Sequence, residues 1–470
     1  MALTLQAGIA RADITPPIGI AHANWGAQTH ERAAGIDLPL ELTALALGDG
    51  TSTSVIIDIA CCWLWGNTGA EVLASVLELT GLPEHAVRLS YTHTHSGPAG
   101  GSNQSWVTGG VEMVDSYIAN LGRIAAGATW AAIRDMEPVR IAGTIGESSI
   151  SVNRRFQRPE DGAVVVGRNW DGIVNREVNV LRLDRLDGSP FAAVVHFGCH
   201  PITVGPDNDK ITPDYPGVVK RVVEANVGAP TVFLQGAAGD IGPVRGVASD
   251  GANQYKRLGT ILGLEAAKLW LEADPVPTCE RYVGTLESGA PLARYEDTPL
   301  PDRETPIRVA KTIAQLPMKE PGDEAALKAE LDTHNQNLAA LRESGASADE
   351  IRQVTMKAKR ASMRHILAQH INQQEAWPVE IYATAIGDDI ALLGMSVEPF
   401  AAIGLGIQAG SPFKQTLVSG YSGLSFAYLP TADAYPLGGY EIEVTPFAPE
   451  AADIAIAAAV DLLRQLKEQA

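Results

Sequence analysis

The chain has 470 residues, 46% hydrophobic and 19% charged. That is a folded globular composition, long enough for about three domains at ~150 residues each or for one large α/β core. A net charge of −19 excludes binding to nucleic acid or an anionic membrane through a general field. The four cysteines, Cys61, Cys62, Cys199 and Cys279, are too few and too unevenly spaced for a disulfide framework, and with no C-x-x-C they suggest neither a zinc knuckle nor a redox pair. Met1–Gly8 lacks the basic start and apolar stretch of a signal peptide, and no apolar run reaches the ~18–20 residues of a membrane span. The expected setting is soluble and cytoplasmic.

In chain order, Ala10–Gly19 reads as a strand running into a Pro/Gly loop, and Leu42–Leu47 turns at Gly48-Asp49-Gly50 into Ser54–Ile59, a hairpin. His22 and His30 lie in the loop between the first two strands, where solvation is the expected state. A helix over Ala70–Leu79 precedes the strand Ala86–Ser90, which opens into Tyr91-Thr92-His93-Thr94-His95-Ser96-Gly97-Pro98. In an extended backbone residues i and i+2 share a face, so His93 and His95 can point into one cavity. Two imidazoles at a strand end suit a metal or catalysis, but equally a hydrogen-bonded surface pair, and the pair alone does not decide.

Val111–Arg134 has apolar residues three and four apart (Val114, Ile118, Leu121, Ile124), the stripe of a core-facing helix. Ser149–Arg155 is a strand ending in two arginines, which either reach an anionic group or sit exposed. Val178–Leu183 and Phe191–His196 read as a strand pair delivering Phe197-Gly198-Cys199-His200-Pro201. A loop with Asp207, Asp209 and Asp214 leads to a helix over Pro216–Ala225. Thr231–Leu234 opens into Gln235–Pro243, whose small residues let backbone amides approach a ligand, and a helix follows over Gln254–Leu271. This alternation of strand, loop and helix across 86–273 predicts an α/β fold with functional loops at the carboxyl ends of strands.

Residues 319–375 are rich in Ala, Leu, Glu, Lys and Gln, with a break at Ser344-Gly345-Ala346-Ser347. They predict a helical hairpin inserted in the core domain, with His334, His365 and His370 at its surface. Val379–Ile386 and Ile390–Gly394 form a hairpin over Gly387-Asp388-Asp389. Glu398 then sits at or just before a predicted helix N-terminus, where Pro399 fits the first helical position. Thr416–Ser419 is a short strand, followed by Tyr421, Phe426, Tyr428, Tyr435 and Tyr440 and a closing helix over Ala451–Lys467.

Four stretches far apart in the chain, Thr92–Pro98, His196–Pro201, Gly239-Asp240-Ile241-Gly242-Pro243 and Ser419–Tyr428 with Tyr435 and Tyr440, together with the opening Ala7–Pro17, resemble the catalytic domain of the neutral, non-lysosomal ceramidases. These are zinc amidases that cleave the N-acyl bond of ceramide. The resemblance implies a mixed-sheet α/β catalytic domain over residues 1–470, with the helical hairpin as an insertion, and the chain is expected to depart from the family in lacking its C-terminal immunoglobulin-like domain. It implies one zinc per chain held by His93, His200, Glu398 and Tyr428, a set of N and O ligands suited to a catalytic metal. It places His95 beside the metal as proton shuttle or carbonyl polariser, Arg154 on the substrate, and Tyr440 as a further donor in the pocket.

The glycine-rich loop departs from the resemblance. The family's G-D-V-S-P carries a catalytic Ser, and here that position is Gly242. Zinc-activated water is the simpler nucleophile. His95, Arg154 or the amides of Gly239 and Gly242 would stabilise the oxyanion, and Asp240 either orients the water or ties down its own loop. The expected activity is hydrolysis of an amide or ester bond, lactones included, in a small soluble substrate. A true ceramidase or N-acyl lipid amidase is the first alternative, and a non-hydrolytic metal enzyme such as an isomerase, or a metal-binding module, is the second. No nucleic-acid partner and no stable membrane association are expected; a homo-oligomer is compatible with the sequence.

Overall fold

The computed structural model describes residues 4–22, 24–28, 30–64, 67–102, 109–245, 251–276, 278–301, 303–320, 322–424 and 427–469, so Phe426 lies outside the described residues. Its frame is a sheet of eight strands in the spatial order Thr231–Gln235, Pro190–Phe197, Glu177–Arg185, Glu137–Glu147, Gln6–Asp13, Glu41–Gly48, Thr53–Ile59, Val87–Tyr91. The two outermost pairs, one at each edge, are parallel and the inner pairs antiparallel. The mixed α/β sheet expected from the sequence is therefore present, with the hairpin over Gly48–Ser52 as its tightest turn.

Alternation along these strands explains what packs where. Ala44, Ile57, Val180, Val195 and Phe233 face one way, onto the helices Val114–Arg134, Asp214–Val227 and Gly251–Glu272. Their neighbours Leu45, Ile56, Leu181, Val194 and Val232 face the other way, onto Ile386, Leu392 and Leu417. These last belong to a second sheet, ordered Ile307–Leu316, Trp377–Ile386, Ile390–Met395, Gln415–Ser419. Its outer face, with Ile381, Leu393 and Val418, is covered by Ile403 and Ile407 of the helix Ala401–Gly410 and by Leu462, Leu463 and Leu466 of Ala451–Glu468. The result is four layers, helices on sheet on sheet on helices, with period-2 strands buried on both faces.

Several boundaries differ from the sequence reading. The first strand is Gln6–Asp13, because Pro16 and Pro17 cannot donate to a ladder. Residues 111–113 form a single tight turn before the helix Val114–Arg134. Asp214 is not in a loop: it is the first residue of the helix Asp214–Val227, buried, and its carboxylate accepts the Thr203 and Tyr215 amides. The 319–375 segment does form two helices, Glu324–Glu343 and Ala348–Asn372, separated at Ser344–Ser347. Glu398 lies just before a helix, one of its two expected placements, but Pro399 is not the first helical residue. The helix begins at Ala401 with Phe400 as its cap, and Glu398-Pro399 instead pairs in parallel with Tyr428-Leu429.

Candidate metal centre

Where the strand Val87–Tyr91 ends, the backbone leaves the extended region altogether. His93 has a φ of 68°, a left-handed conformation that costs a β-substituted residue about 1–3 kcal/mol and is held only by its surroundings. The expectation that His93 and His95 converge because they share a strand face is thus corrected in its reason. They converge through this turn, with their Nε2 atoms 3.3 Å apart and ring planes at 89°. His93 is held from the main chain: its amide donates to the Cys61 carbonyl at 2.9 Å and its Nδ1 to the Cys62 carbonyl at 3.0 Å.

His200 arrives from the other parallel edge, three residues past the strand Pro190–Phe197. Its Nδ1 donates to the Ala238 carbonyl at 2.9 Å. His95 Nδ1 likewise donates to the Asn24 carbonyl at 2.7 Å. A carbonyl only accepts, so all three imidazoles carry a proton on Nδ1, and each in its neutral form presents a bare lone pair at Nε2. Burial pushes His95 and His200 well below the usual histidine range, which keeps them neutral.

Those lone pairs meet each other. His93 Nε2 and His200 Nε2 lie 3.1 Å apart, and each is 3.5 Å from Glu398 Oε2. That carboxylate oxygen has no protein hydrogen-bond partner although the residue is 2% exposed. Three acceptors facing one another without a shared proton repel, and the cost of such buried unpaired groups is several kcal/mol. A cation removes the repulsion and gives every lone pair a partner. The donor set, two neutral imidazoles and a carboxylate, is one that zinc and other divalent transition ions accept. The residues present fit a metal ion, and the buried group His93, His200 and Glu398 can bind one.

Tyr428 stands directly opposite Glu398 in the two-residue parallel bridge, and its ring lies parallel to that of His200 with centroids 6.4 Å apart. Burial and the Glu398 charge both raise its phenol above 10. Tyr440 packs edge-on to Tyr428 at 5.7 Å. The Arg154 guanidinium sits 5.4 Å from the Tyr428 ring centre. It is buried, its Nε donates to Glu441 Oε1 at 2.9 Å, and its Nη2 has no protein partner. Arg155 is not exposed either: Nη1 donates to Glu441 Oε2 at 2.8 Å. Glu441, 1% exposed, therefore holds both arginines.

Asp240 uses both carboxylate oxygens on its surroundings. Oδ1 accepts the Ala401 amide at 2.8 Å and Oδ2 accepts Asn153 Nδ2 at 3.0 Å. Burial raises its pKa to about 6. This is the loop-tying arrangement, joining the glycine-rich turn to the helix that follows Glu398. In this turn Gly239 must lack a side chain: a Cβ there would lie 2.5 Å from the Glu398 carbonyl oxygen. Gly242 pairs with Val152, and a Cβ on it would meet Arg154 Cβ at 3.3 Å.

The sequence reading missed the enclosing groups. Trp63 stacks on His93 at 5.0 Å, Tyr421 lies 4.3 Å from the His93 ring, and Trp25 is 5.2 Å from His95. Glu441 was missed as well, although it follows Tyr440 directly. His22 is not solvated: it is fully buried, hydrogen-bonded at 2.8 Å to the half-buried His30 and stacked on it. Gln28 bridges both their carbonyls, since they flank the segment that supplies the Asn24 carbonyl.

Comparison with known proteins adds a lineage to this geometry. The family model for the N-terminal part of neutral/alkaline non-lysosomal ceramidases matches residues 5–251, which include His93, His95, Arg154, His200 and Asp240 and stop short of Glu398 and Tyr428. Neutral ceramidase B of Dictyostelium discoideum is 26% identical over 259 residues, 51% of this chain and 35% of the relative. Neutral ceramidase A of the same organism is 25% identical over 256 residues, 51% and 36% respectively. The matches thus span about a third of those relatives' length. The crystal structure of neutral ceramidase from Pseudomonas aeruginosa superposes with a TM-score of 0.65 at 19% identity, covering 99% of this chain and 75% of that one. A ceramidase complexed with C2 gives 0.65 at 17% identity, covering 99% and 76%. These two share the fold.

Proposed function

Because the chain belongs to the neutral/alkaline non-lysosomal ceramidase family, we propose that it is a metal-dependent hydrolase of an acyl C–N or C–O bond. The observation that supports this most strongly is the convergence of His93 Nε2, His200 Nε2 and Glu398 Oε2, all lone pairs and no proton. One zinc ion per chain is the proposed cofactor, held by these three groups and Tyr428. When bound, such an ion polarises a carbonyl and brings the pKa of a coordinated water from ~15.7 to around 7.

The chain's own groups divide the remaining work. His95 Nε2, bare because Nδ1 is committed to Asn24, accepts a proton from the attacking water and returns one to the leaving group. Arg154 Nη2, free of protein partners, is the donor for the developing oxyanion or for an acidic substrate group. Tyr440, beside Tyr428, is a further donor toward the pocket. Trp63 and Tyr421 keep bulk water from the ligands. With Gly242 at the position where the family resemblance expects a Ser, the nucleophile assigned to this chain is water.

The ligating residues His93, His200 and Glu398 are each 2% exposed or less, which favours a small soluble amide, ester or lactone over a bulky lipid. The relatives' names favour a second reading, release of fatty acid from an N-acyl sphingoid base. Both are tested by a hydrolysis screen over amides, esters, lactones and a short-chain N-acyl-sphingosine with zinc-loaded protein, read by product mass. Turnover of a small acyl substrate, lost in His200→Ala, is the expected outcome. Fatty acid release alone would establish the second reading, and no hydrolysis of any class would overturn both.

A further inference from the structure

A second polar cluster lies away from the metal centre, between the two sheets. Arg88 is 5% exposed and sits on the edge strand Val87–Tyr91, register-paired with Ile56. Its side chain points at the second sheet: a Cβ on Gly394 would fall 2.6 Å from Arg88 Cδ and 2.8 Å from Nη1. In that sheet Tyr382, Gly394 and Ser419 are neighbours across three strands, and register partners share a face. Ser419 therefore faces Arg88 as Gly394 does. Ser90, two residues along the Arg88 strand, shares its face and pairs with Ser422.

The charges in this cluster do not balance. Arg88 makes no ion pair among the described residues, and its Nε and Nη2 have no protein partner. Ser90 Oγ and Ser419 Oγ, both buried, have none either. Glu380, the acid nearby on the Tyr382 strand, is taken up by Lys311 and the Leu424 amide. His196, whose Nε2 donates to the Val418 carbonyl, can only be neutral or cationic and so offers no counter-charge. Burial lowers the Arg88 pKa only to about 10, so the guanidinium is charged at neutral pH. An uncompensated cation between apolar layers is strongly unfavourable, whereas a guanidinium with flanking hydroxyls supplies directed donors for an anion.

We propose that Arg88, Ser90 and Ser419 form a buried binding site for one small monovalent inorganic anion, of chloride size. One positive charge sets the valence. Tight packing sets the size: the Arg88 side chain itself takes the space that a Cβ on Gly394 would fill, so only a small ion fits beside the guanidinium. The ion would tie the strand that leads to His93 to the strands that lead to Glu398 and Tyr421, so its first effect is on stability.

The test uses the full chain. Crystals soaked in sodium bromide should show an anomalous peak within hydrogen-bond distance of the Arg88 guanidinium and Ser419 Oγ. The thermal midpoint should rise saturably by several degrees when chloride replaces gluconate at constant ionic strength. Arg88→Met should abolish that dependence. If that variant does not fold, Ser419→Ala should shift the chloride midpoint several-fold to higher concentration. Equal midpoints in the two salts would overturn the proposal, whether the bromide peak is absent or appears only at crystal concentration.

Discussion

At the scale of single residues, the site is organised by backbone carbonyls. Cys62, Ala238 and Asn24 each take an Nδ1 proton and so aim three Nε2 lone pairs inward. Removing any ligand should remove the reason for the others to converge. His93→Ala is expected to lower metal content to well under a tenth of wild type and to abolish turnover, checked by elemental analysis and single-turnover assay. Asp240→Asn tests a different role. The new amide must face either the Ala401 amide or Asn153 Nδ2, and Asn153 cannot turn, since its Oδ1 accepts the Arg155 amide and its Nδ2 also donates to the Ile173 carbonyl. A loss of about 1–3 kcal/mol in urea unfolding is expected. Glu441→Gln leaves two buried guanidiniums short of their shared counter-charge and should cost about 3–5 kcal/mol, with kcat/KM falling because Arg154 loses its anchor. The group His93, His200 and Glu398 was reached through the family resemblance, since the residues alone left the histidine pair undecided and read Glu398 as a helix-start residue. The carbonyls that orient them carry no residue signature, and Glu441 meets its arginines across more than 280 positions.

At the scale of elements, the helical hairpin is tied to the site's border. Its second helix starts with a reciprocal cap, the Ser347 side chain on the Glu350 amide and the Glu350 carboxylate on the Ser347 amide. Further along, Lys359 Nζ donates to the Gln28 carbonyl at 2.8 Å, next to the segment whose Asn24 holds His95. Lys359→Met should leave the global unfolding midpoint within about 0.5 kcal/mol and speed amide exchange over residues 24–28. Unchanged exchange there would show that the hairpin does not brace this loop. The hairpin was readable from composition and its Ser-Gly break, since isolated helices announce themselves by propensity and caps. The Glu398 turn was not. Proline after a carboxylate looks like a helix start, but pairing with Tyr428-Leu429 holds both residues extended, a tertiary contact that local propensity cannot report.

At the scale of the molecule, alternation of strand and helix gave the α/β class, while the stacking of two sheets was hidden. Leu45 and Ala44 are adjacent in sequence and equally buried, one between the sheets and one beneath the helices. A strand apolar on both faces does not say what covers each. Truncating the inter-sheet layer by Leu45→Ala should cost about 2–5 kcal/mol and spare metal binding in the folded fraction. Among the described residues, no helix is long and apolar enough to cross a membrane, and the folded frame serves to bring two parallel strand edges, His93 on one and His200 on the other, to one point.

The most direct measurement is metal stoichiometry with hydrolysis on the same samples: wild type, His200→Ala and Glu398→Gln, each as purified, stripped by chelator and reloaded with zinc. The account predicts about one zinc per wild-type chain, loss of turnover on stripping with recovery on reloading, and neither tight zinc nor turnover in the two variants. Full activity in the stripped wild type, or one tightly held zinc in His200→Ala, would contradict it.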